Sequence, residues 1–310
     1  MNPRASVSLA SLAKQNSVSK PKAYDQKVAP AEVKPQVPAS KTSAHFFQSQ
    51  SEILKIPQKS CIIFLMENQI RTLQKIIDES QNIVFFGGAG VSTESGIPDF
   101  RSQDGLYNQK WKFPPEVIIS HSFFDANPVE FYRFYREKLI IKDVKPNAAH
   151  LKLAELEAAG KLKAVITQNI DGLHQMAGSK NVFELHGSTL RNFCTQCGEF
   201  YDIDFIAQSE SADDKLPRCK KCGALVKPDV VLYEEGLDNA TLSGAVKAIA
   251  TADTLIIGGT SLIVYPAAGL IDYFRGKHLI LINKSATQAD SRADLVFHQS
   301  IGEVLSQIKI

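Results

Sequence analysis

From residue 66 onward, short apolar runs alternate with stretches of helical period. Ile70, Leu73, Ile76 and Ile77 fall on one face of a helix. Asn82-Ile-Val-Phe-Phe86 then reads as a strand, and similar runs recur at Lys163–Ile166, Thr254–Ile257, Leu279–Ile282 and Asp294–Phe297. Strands this continuously apolar suit a parallel sheet covered on both faces. Helical stretches lie between them, one of them capped by Asn147 and carrying Leu151, Leu153 and Leu156. The alternation predicts an α/β fold with a doubly wound parallel sheet. Two regions interrupt it: an aromatic-rich stretch at about 100–145, read as a helical insertion, and a cysteine stretch at 190–226.

Residues 1–65 follow no such pattern. They hold six of the fourteen prolines and no glycine, with nine Lys and Arg against three Asp and Glu. Such a segment buries too little apolar surface to offset its ordering entropy and reads as a disordered tail. A targeting segment is the alternative, since no acidic residue precedes Tyr24. Met66 begins the folded pattern so cleanly that it is a candidate start. The tail's +6 leaves −4 for the remainder of a chain with net charge +2, which gives no electrostatic case for nucleic acid. No apolar run approaches the ~20 residues of a membrane-spanning helix. The expected location is cytoplasmic.

Four of the five cysteines form two close pairs, Cys194-x2-Cys197 and Cys219-x2-Cys222, with 21 residues between the pairs. Two such knuckles supply four thiolates in a tetrahedron, which closes the coordination sphere of one zinc ion and makes it structural. Cys61 stands apart. A nucleic-acid zinc ribbon fits the cysteines alone, but the acidic run between Asp202 and Asp214 disfavours phosphate.

The first strand runs straight into Gly87-Gly-Ala-Gly90. Glycines there let the backbone approach a diphosphate, and a helix N-terminus just beyond would add donors. The third position of the usual dinucleotide fingerprint is Thr93, so the turn alone is ambiguous with a tight strand-to-helix connection. The whole string Gly88-Ala-Gly-Val-Ser-Thr-Glu-Ser-Gly-Ile-Pro-Asp-Phe-Arg-Ser102, however, resembles the first signature of the sirtuin family, in its bacterial type. Thr167-Gln-Asn-Ile-Asp-Gly-Leu-His174 resembles the second, and Leu185-His186-Gly187 the context of its catalytic base. The resemblance covers about 82–305 in the family's order.

The resemblance implies a Rossmann-like sheet with a small zinc module, NAD⁺ as co-substrate, one structural Zn²⁺ on Cys194, Cys197, Cys219 and Cys222, and acetylated proteins as substrates. It places Gly88, Ala89, Gly90 and Thr93 on the cofactor, with Phe100 shielding the reaction face and Arg101 organising a loop that closes with NAD⁺. Gln168 and Asn169 would follow the nicotinamide ribose. Ile170 and Asp171 would hold the carboxamide. Gly259, Thr260 and Ser261 would take ribose and phosphate, Asn283 the adenosine ribose and Ile301 the adenine. Val231 would touch acyl-lysine, next to Glu234, where the family often has glycine. His186, one of seven histidines, would be the base, with Asn169 as its catalytic companion; His174 is expected to be structural.

In the reaction so implied, the acetyl oxygen attacks C1′ of the nicotinamide ribose and nicotinamide leaves. His186 then takes a proton from the ribose hydroxyls, and lysine and O-acetyl-ADP-ribose are released. A Tyr-x-x-Arg pair marks relatives that take acidic acyl groups. The matching stretch here is Tyr135-Arg-Glu-Lys138, and lysine lacks the guanidinium fork, so acetyl and other neutral acyl groups are expected. The alternatives are ADP-ribosyl transfer, deacylation of longer neutral groups, or a non-catalytic acetyl-lysine reader, which would be expected to lack His186 or Asn169.

Overall fold

A computed structural model describes residues 58–310, Gln103 excepted, with side chains from Met66 onward. The expected tail therefore lies outside the described residues, apart from the helix backbone that begins at Gln58. Pro57 is the last breaker before that helix, and neither glycine nor proline occurs from Gln58 to Glu79.

Helix α1 (Gln58–Glu79) leads into β1 (Ile83–Gly87). An insertion follows, with α2 (Pro115–Ile118), α3 (His121–Ala126) and α4 (Pro128–Phe134), which runs on into a π turn at Tyr135–Leu139. Helix α5 (Ala148–Ala158) returns the chain to β2 (Leu162–Thr167), and α6 (Leu173–Ala177) precedes β3 (Val182–Glu184). Then come β4 (Gly187–Cys194), β5 (Phe200–Tyr201), α7 (Ile203–Gln208) and β6 (Val226–Val230). The chain ends with α8 (Asn239–Thr251), β7 (Thr254–Gly258), β8 (His278–Ile282), β9 (Leu295–Phe297) and α9 (Ile301–Leu305).

Six strands form one parallel sheet in the order β3-β2-β1-β7-β8-β9. The chain builds outward from β1 on one side, then crosses to build outward on the other. The carboxyl ends of β1 and β7 flank that reversal, where open α/β sheets bind their ligands. Alternate residues of β1 serve opposite faces. Ile83 and Phe85 pack with α1, α5 and α9, whereas Val84 and Phe86 pack with α8 and the 3-10 turn Ala267–Tyr273. This two-sided burial explains why the strands are apolar throughout.

The helix from Asn147 forms as expected, with a capping box in which Asn147 Oδ1 accepts from Ala149 and His150. Its buried face differs from the expectation. Leu153 and Leu156 are buried, but Leu151 is 54% exposed, and Ala149 and His150 take the inward positions. Leucine spacing alone misjudged the phase, because a small residue and a histidine serve the core here.

The two interruptions of the α/β pattern are not separate. Leu106, Ile118, Phe124, Phe131 and Tyr135 share one core with Cys194, Ile206, Leu216, Cys219 and Val226. The Tyr132 hydroxyl donates to the Val226 carbonyl across the joint. The antiparallel sheet β5-β4-β6 backs this second lobe. Neither insertion is long enough for a core of its own, so each supplies half of a common one. Among the described residues no helix is long and apolar enough to cross a membrane.

His150 on α5 and His174 on α6 are fully buried, with ring centroids 4.7 Å apart. Burial pulls His150 down to about 4, against the opposing charge of Asp171, and pulls His174 down to about 3, with His150 adding to the effect. Both rings are therefore neutral in the folded protein. Below about pH 6.5 the unfolded chain binds protons that the folded chain refuses, so each ring costs about 1.4 kcal/mol of stability per pH unit until its folded value is reached. The melting temperature should fall between pH 7 and pH 5. It should fall less steeply in His150→Gln/His174→Gln, and equal slopes would refute this source of acid sensitivity.

Candidate active site

The site begins where β1 and β7 end. Gly87 pairs with Gly258 across the two strands, and each strand continues into a glycine turn. The Gly88 N–H donates to Gly258 O at 3.3 Å and the Gly90 N–H to Gly259 O at 2.8 Å. A Cβ on Gly90 would lie 2.8 Å from the Gly259 Cα, so only glycine lets these backbones meet. The α-helix expected after the first turn is absent. Two 3-10 turns, Ala89–Val91 and Thr93–Ser95, take its place. Gly96 in the left-handed region and Pro98 end the helical path before a full α-turn can form.

Strand β2 ends beside these turns. Gln168 accounts for the gap between them: its Nε2 donates to Gly87 O at 3.3 Å and to Thr260 Oγ1 at 3.2 Å. Asn169, Asp171 and the first turn are joined through Ser92. Asn169 Nδ2 donates to Ser92 Oγ at 3.0 Å, and Ser92 Oγ donates to Asp171 Oδ2 at 2.7 Å. The other Asp171 oxygen accepts the Leu173 N–H at 2.9 Å. Ser92 is 1% exposed and was given no role by the sequence reading. Its signal was its place inside the first signature, but a serine in a turn is read as a turn former until its partners are seen.

His186 follows β3. Its Nδ1 lies 3.0 Å from the Gln168 carbonyl oxygen, which can only accept, so Nδ1 carries the proton and Nε2 keeps a lone pair. Burial lowers the ring below the ordinary histidine value, and the Gln168 hydrogen bond opposes that in part. Gly187 has a φ of 74°, and a Cβ there would fall 1.9 Å from Asp229 O. Glycine is thus required where the main chain turns from β3 into β4. The same turn brings the His186 carbonyl to the Val231 N–H at 3.0 Å.

All the residues read as contacting cofactor, acyl group or proton line one cavity of about 830 Å³. These are Gly88, Ala89, Gly90, Thr93, Phe100, Arg101, Gln168, Asn169, Ile170, Asp171, His186, Val231, Gly259, Thr260, Ser261, Asn283 and Ile301. Thr93 Oγ1 donates to Gly90 O, and Asn283 Nδ2 to Ser285 O. Ile301 stands against Gly258, where a Cβ would come 2.2 Å from its Cδ1. Glu94, also unassigned beforehand, accepts from Gly302 N–H at 2.8 Å and ties the first turn to α9. The Tyr135/Lys138 comparison is corrected. Tyr135 is fully buried against Phe131 and does not line the cavity, whereas Lys138 does. His174 is buried, in keeping with a structural role.

The four cysteine sulfurs lie within 4.8 Å of one another, with 3.4 Å between Cys194 and Cys222 and 3.6 Å between Cys197 and Cys219. Those separations are far beyond a disulfide and close to the ~3.8 Å edge of a tetrahedron with Zn–S bonds of about 2.3 Å. The Gly198 and Gly223 N–H groups donate to Cys194 O and Cys219 O, closing each knuckle. The Tyr201 hydroxyl donates to Cys219 Sγ at 3.3 Å. The donor set suits a structural zinc ion.

The Sir2 family model matches residues 88–266. An NAD-dependent protein deacetylase of Clostridium perfringens (strain 13 / Type A) is 65% identical over 246 residues, covering 78% of this chain and 99% of that protein. A protein of the same name from Staphylococcus aureus (strain Mu50 / ATCC 700699) is 44% identical over 245 residues, covering 78% and 99%. Among solved structures, a Sir2–p53 peptide–NAD⁺ complex superposes with a TM-score of 0.68 at 39% identity, covering 76% of this chain and 95% of that one. A Sir2 enzyme bound to a propionylated peptide gives 0.68 at 37% identity, with the same coverage. With more than half its length inside the family model and relatives matched almost end to end, this chain belongs to the Sir2 family.

Proposed function

We propose that the chain is an NAD⁺-dependent protein-lysine deacetylase, converting acetyl-lysine, NAD⁺ and water to lysine, nicotinamide and O-acetyl-ADP-ribose. The observation that carries this reading is the neutral His186 facing the same cavity as the Asn169–Ser92–Asp171 network and the paired glycine turns. Relatives at up to 65% identity bear that activity in their names. A cytoplasmic location fits two pairs of thiols that an oxidising compartment would tend to convert to disulfides.

The cradle fits a dinucleotide. A Cβ on Gly88 would fall 3.0 Å from the Thr260 side chain, so a glycine there keeps open the space where turn amides and Thr260 can face phosphate. Asn283 and Ile301 receive the adenosine end, and Ile170 and Asp171 the carboxamide. NAD⁺ supplies a sugar carbon bonded to a pyridinium leaving group. The acyl-lysine carbonyl is a weak nucleophile, so positioning has to supply much of the rate. Val231 and Phe100 wall the space in which that oxygen is held, and Arg101 orders the loop that bears Phe100. Asn169 and Asp171 cannot drift independently, since both are bound to Ser92. The Nε2 lone pair of His186 accepts the proton of a ribose hydroxyl. Among the cavity's residues, Lys138 is without Tyr135 as a companion, which favours acetyl and other neutral acyl groups over acidic ones. Cys194, Cys197, Cys219 and Cys222 hold zinc away from the chemistry, fixing the second lobe.

Nicotinamide release from NAD⁺ should require an acetylated peptide and be far slower with a succinylated or unmodified one. Mass analysis should find O-acetyl-ADP-ribose, and ADP-ribosylated protein instead would favour the transferase alternative. His186→Ala should lower turnover by about 10²–10⁴-fold with the melting temperature held. In the parent protein, the acid limb of kcat/KM should lie below the ordinary histidine range, because the lowered value keeps the ring a base to lower pH. Full turnover in His186→Ala would end that assignment. Metal analysis should find one zinc per chain, and its removal by a chelator should lower the melting temperature and abolish activity together. A zinc-free protein that kept both would refute the structural role.

A further inference from the structure

Segment 98–113 carries Phe100 and Arg101 along one side of the cavity, and the hydrogen bonds of its described residues are nearly all internal. The Leu106 N–H donates to Asp99 O and the Tyr107 N–H to Phe100 O, each at 2.8 Å. Asp99 Oδ1 accepts the N–H groups of Arg101 and Ser102 at 2.9 and 2.7 Å, and Asn108 Nδ2 donates to Ser102 O at 2.7 Å. Among the described residues, one hydrogen bond leaves this segment. The hydroxyls of Tyr107 and Tyr233 lie 2.8 Å apart.

The two ends of this link differ in stiffness. Tyr233 stands two residues past Val231 on a wall fixed from several directions. Its N–H donates to Ile119 O and its carbonyl accepts the His121 N–H, both at 3.0 Å. The next residue, Glu234, holds a φ of 77° and accepts from Ser122 N and Oγ at 2.9 and 3.0 Å. A residue other than glycine persists in that conformation only where its surroundings over-determine it, and these bonds do so. At the other end, the Tyr107 ring meets Phe100 edge to face, with centroids 5.5 Å apart, and the Arg101 guanidinium lies 5.2 Å from its centre.

We infer that Tyr107 and Tyr233 are positioning residues. Their hydroxyl bond ties the loop bearing Phe100 and Arg101 to the acyl-lysine wall, and so couples the two substrate subsites. The roles of those subsites rest on the function proposed above. The bonds of the wall hold the main chain of Tyr233 but leave the residue 36% exposed; peptide seated there restrains its ring, Tyr233 holds Tyr107, and Tyr107 holds the two loop residues against the cofactor. Coupling of this kind is reciprocal, so NAD⁺ tightens peptide binding by the factor by which peptide tightens NAD⁺. Tyrosine-to-phenylalanine changes remove the bond and leave both rings in place.

The full chain and its Tyr107→Phe, Tyr233→Phe and doubly substituted forms are compared in two ways. Without substrates, amide hydrogen exchange in segment 98–113 should quicken in each single variant and no further in the double. In steady-state kinetics with acetylated peptide, each single change should raise the KM for NAD⁺ by about two- to tenfold, the range one neutral hydrogen bond commands, with a smaller change in kcat. The double variant should match the singles, because one bond is lost only once. Parent-like exchange in both single variants, or effects that multiply in the double, would overturn the inference. If the parent protein releases no nicotinamide with acetylated peptide, the functional reading fails, and the exchange comparison still decides the link.

Discussion

The structure depends on the backbone contact between Gly90 and Gly259. Two parallel strands end side by side, and their turns approach until amide meets carbonyl with no side chain between them. That contact places the amides of both turns on one edge of the sheet, at the position where the strand order reverses. Gln168 then spans Gly87 and Thr260, and Ser92 holds Asn169 and Asp171 in one arrangement. A site organised this way positions its groups through main-chain contacts and side chains that are themselves hydrogen-bonded in place.

The second lobe supplies the opposite wall. Its aromatic half and its cysteine half come from distant parts of the chain and share a single core. The zinc knuckles sit at the far end of β4, whose near end is Gly187, immediately after His186. The cysteine cluster and His186 are therefore joined by one strand. A closed thiolate site contributes rigidity at a distance and no open coordination position, so in the proposed reaction acid-base chemistry falls to the histidine.

His186 has the electrostatics that the proposed base requires. A histidine held neutral by burial, with Nδ1 committed to a backbone carbonyl, presents a lone pair at Nε2 to the cavity. The same burial acts on His150 and His174, whose rings donate to no backbone carbonyl among the described residues and face the core rather than the cavity. Three histidines near one sheet edge thus divide by what their ring nitrogens face.

The residues that line the cavity were legible through the family resemblance, whereas the parallel sheet, the glycine turns and the two cysteine pairs were legible in the residue pattern itself. Each is a local property: two-sided apolar runs fix strands, and glycine or cysteine at set spacing permits only a few backbones or ligand sets. Tertiary structure decided what depends on partners far along the chain. It replaced the expected helix after Gly90 with 3-10 turns, turned Leu151 outward, buried Tyr135, merged two insertions into one core and made Ser92 a junction. Periodicity reports which residues prefer burial. Which of them meet, and which hydroxyl finds which carboxylate, is set only when segments some eighty residues apart close on one another, as Ser92 and Asp171 do.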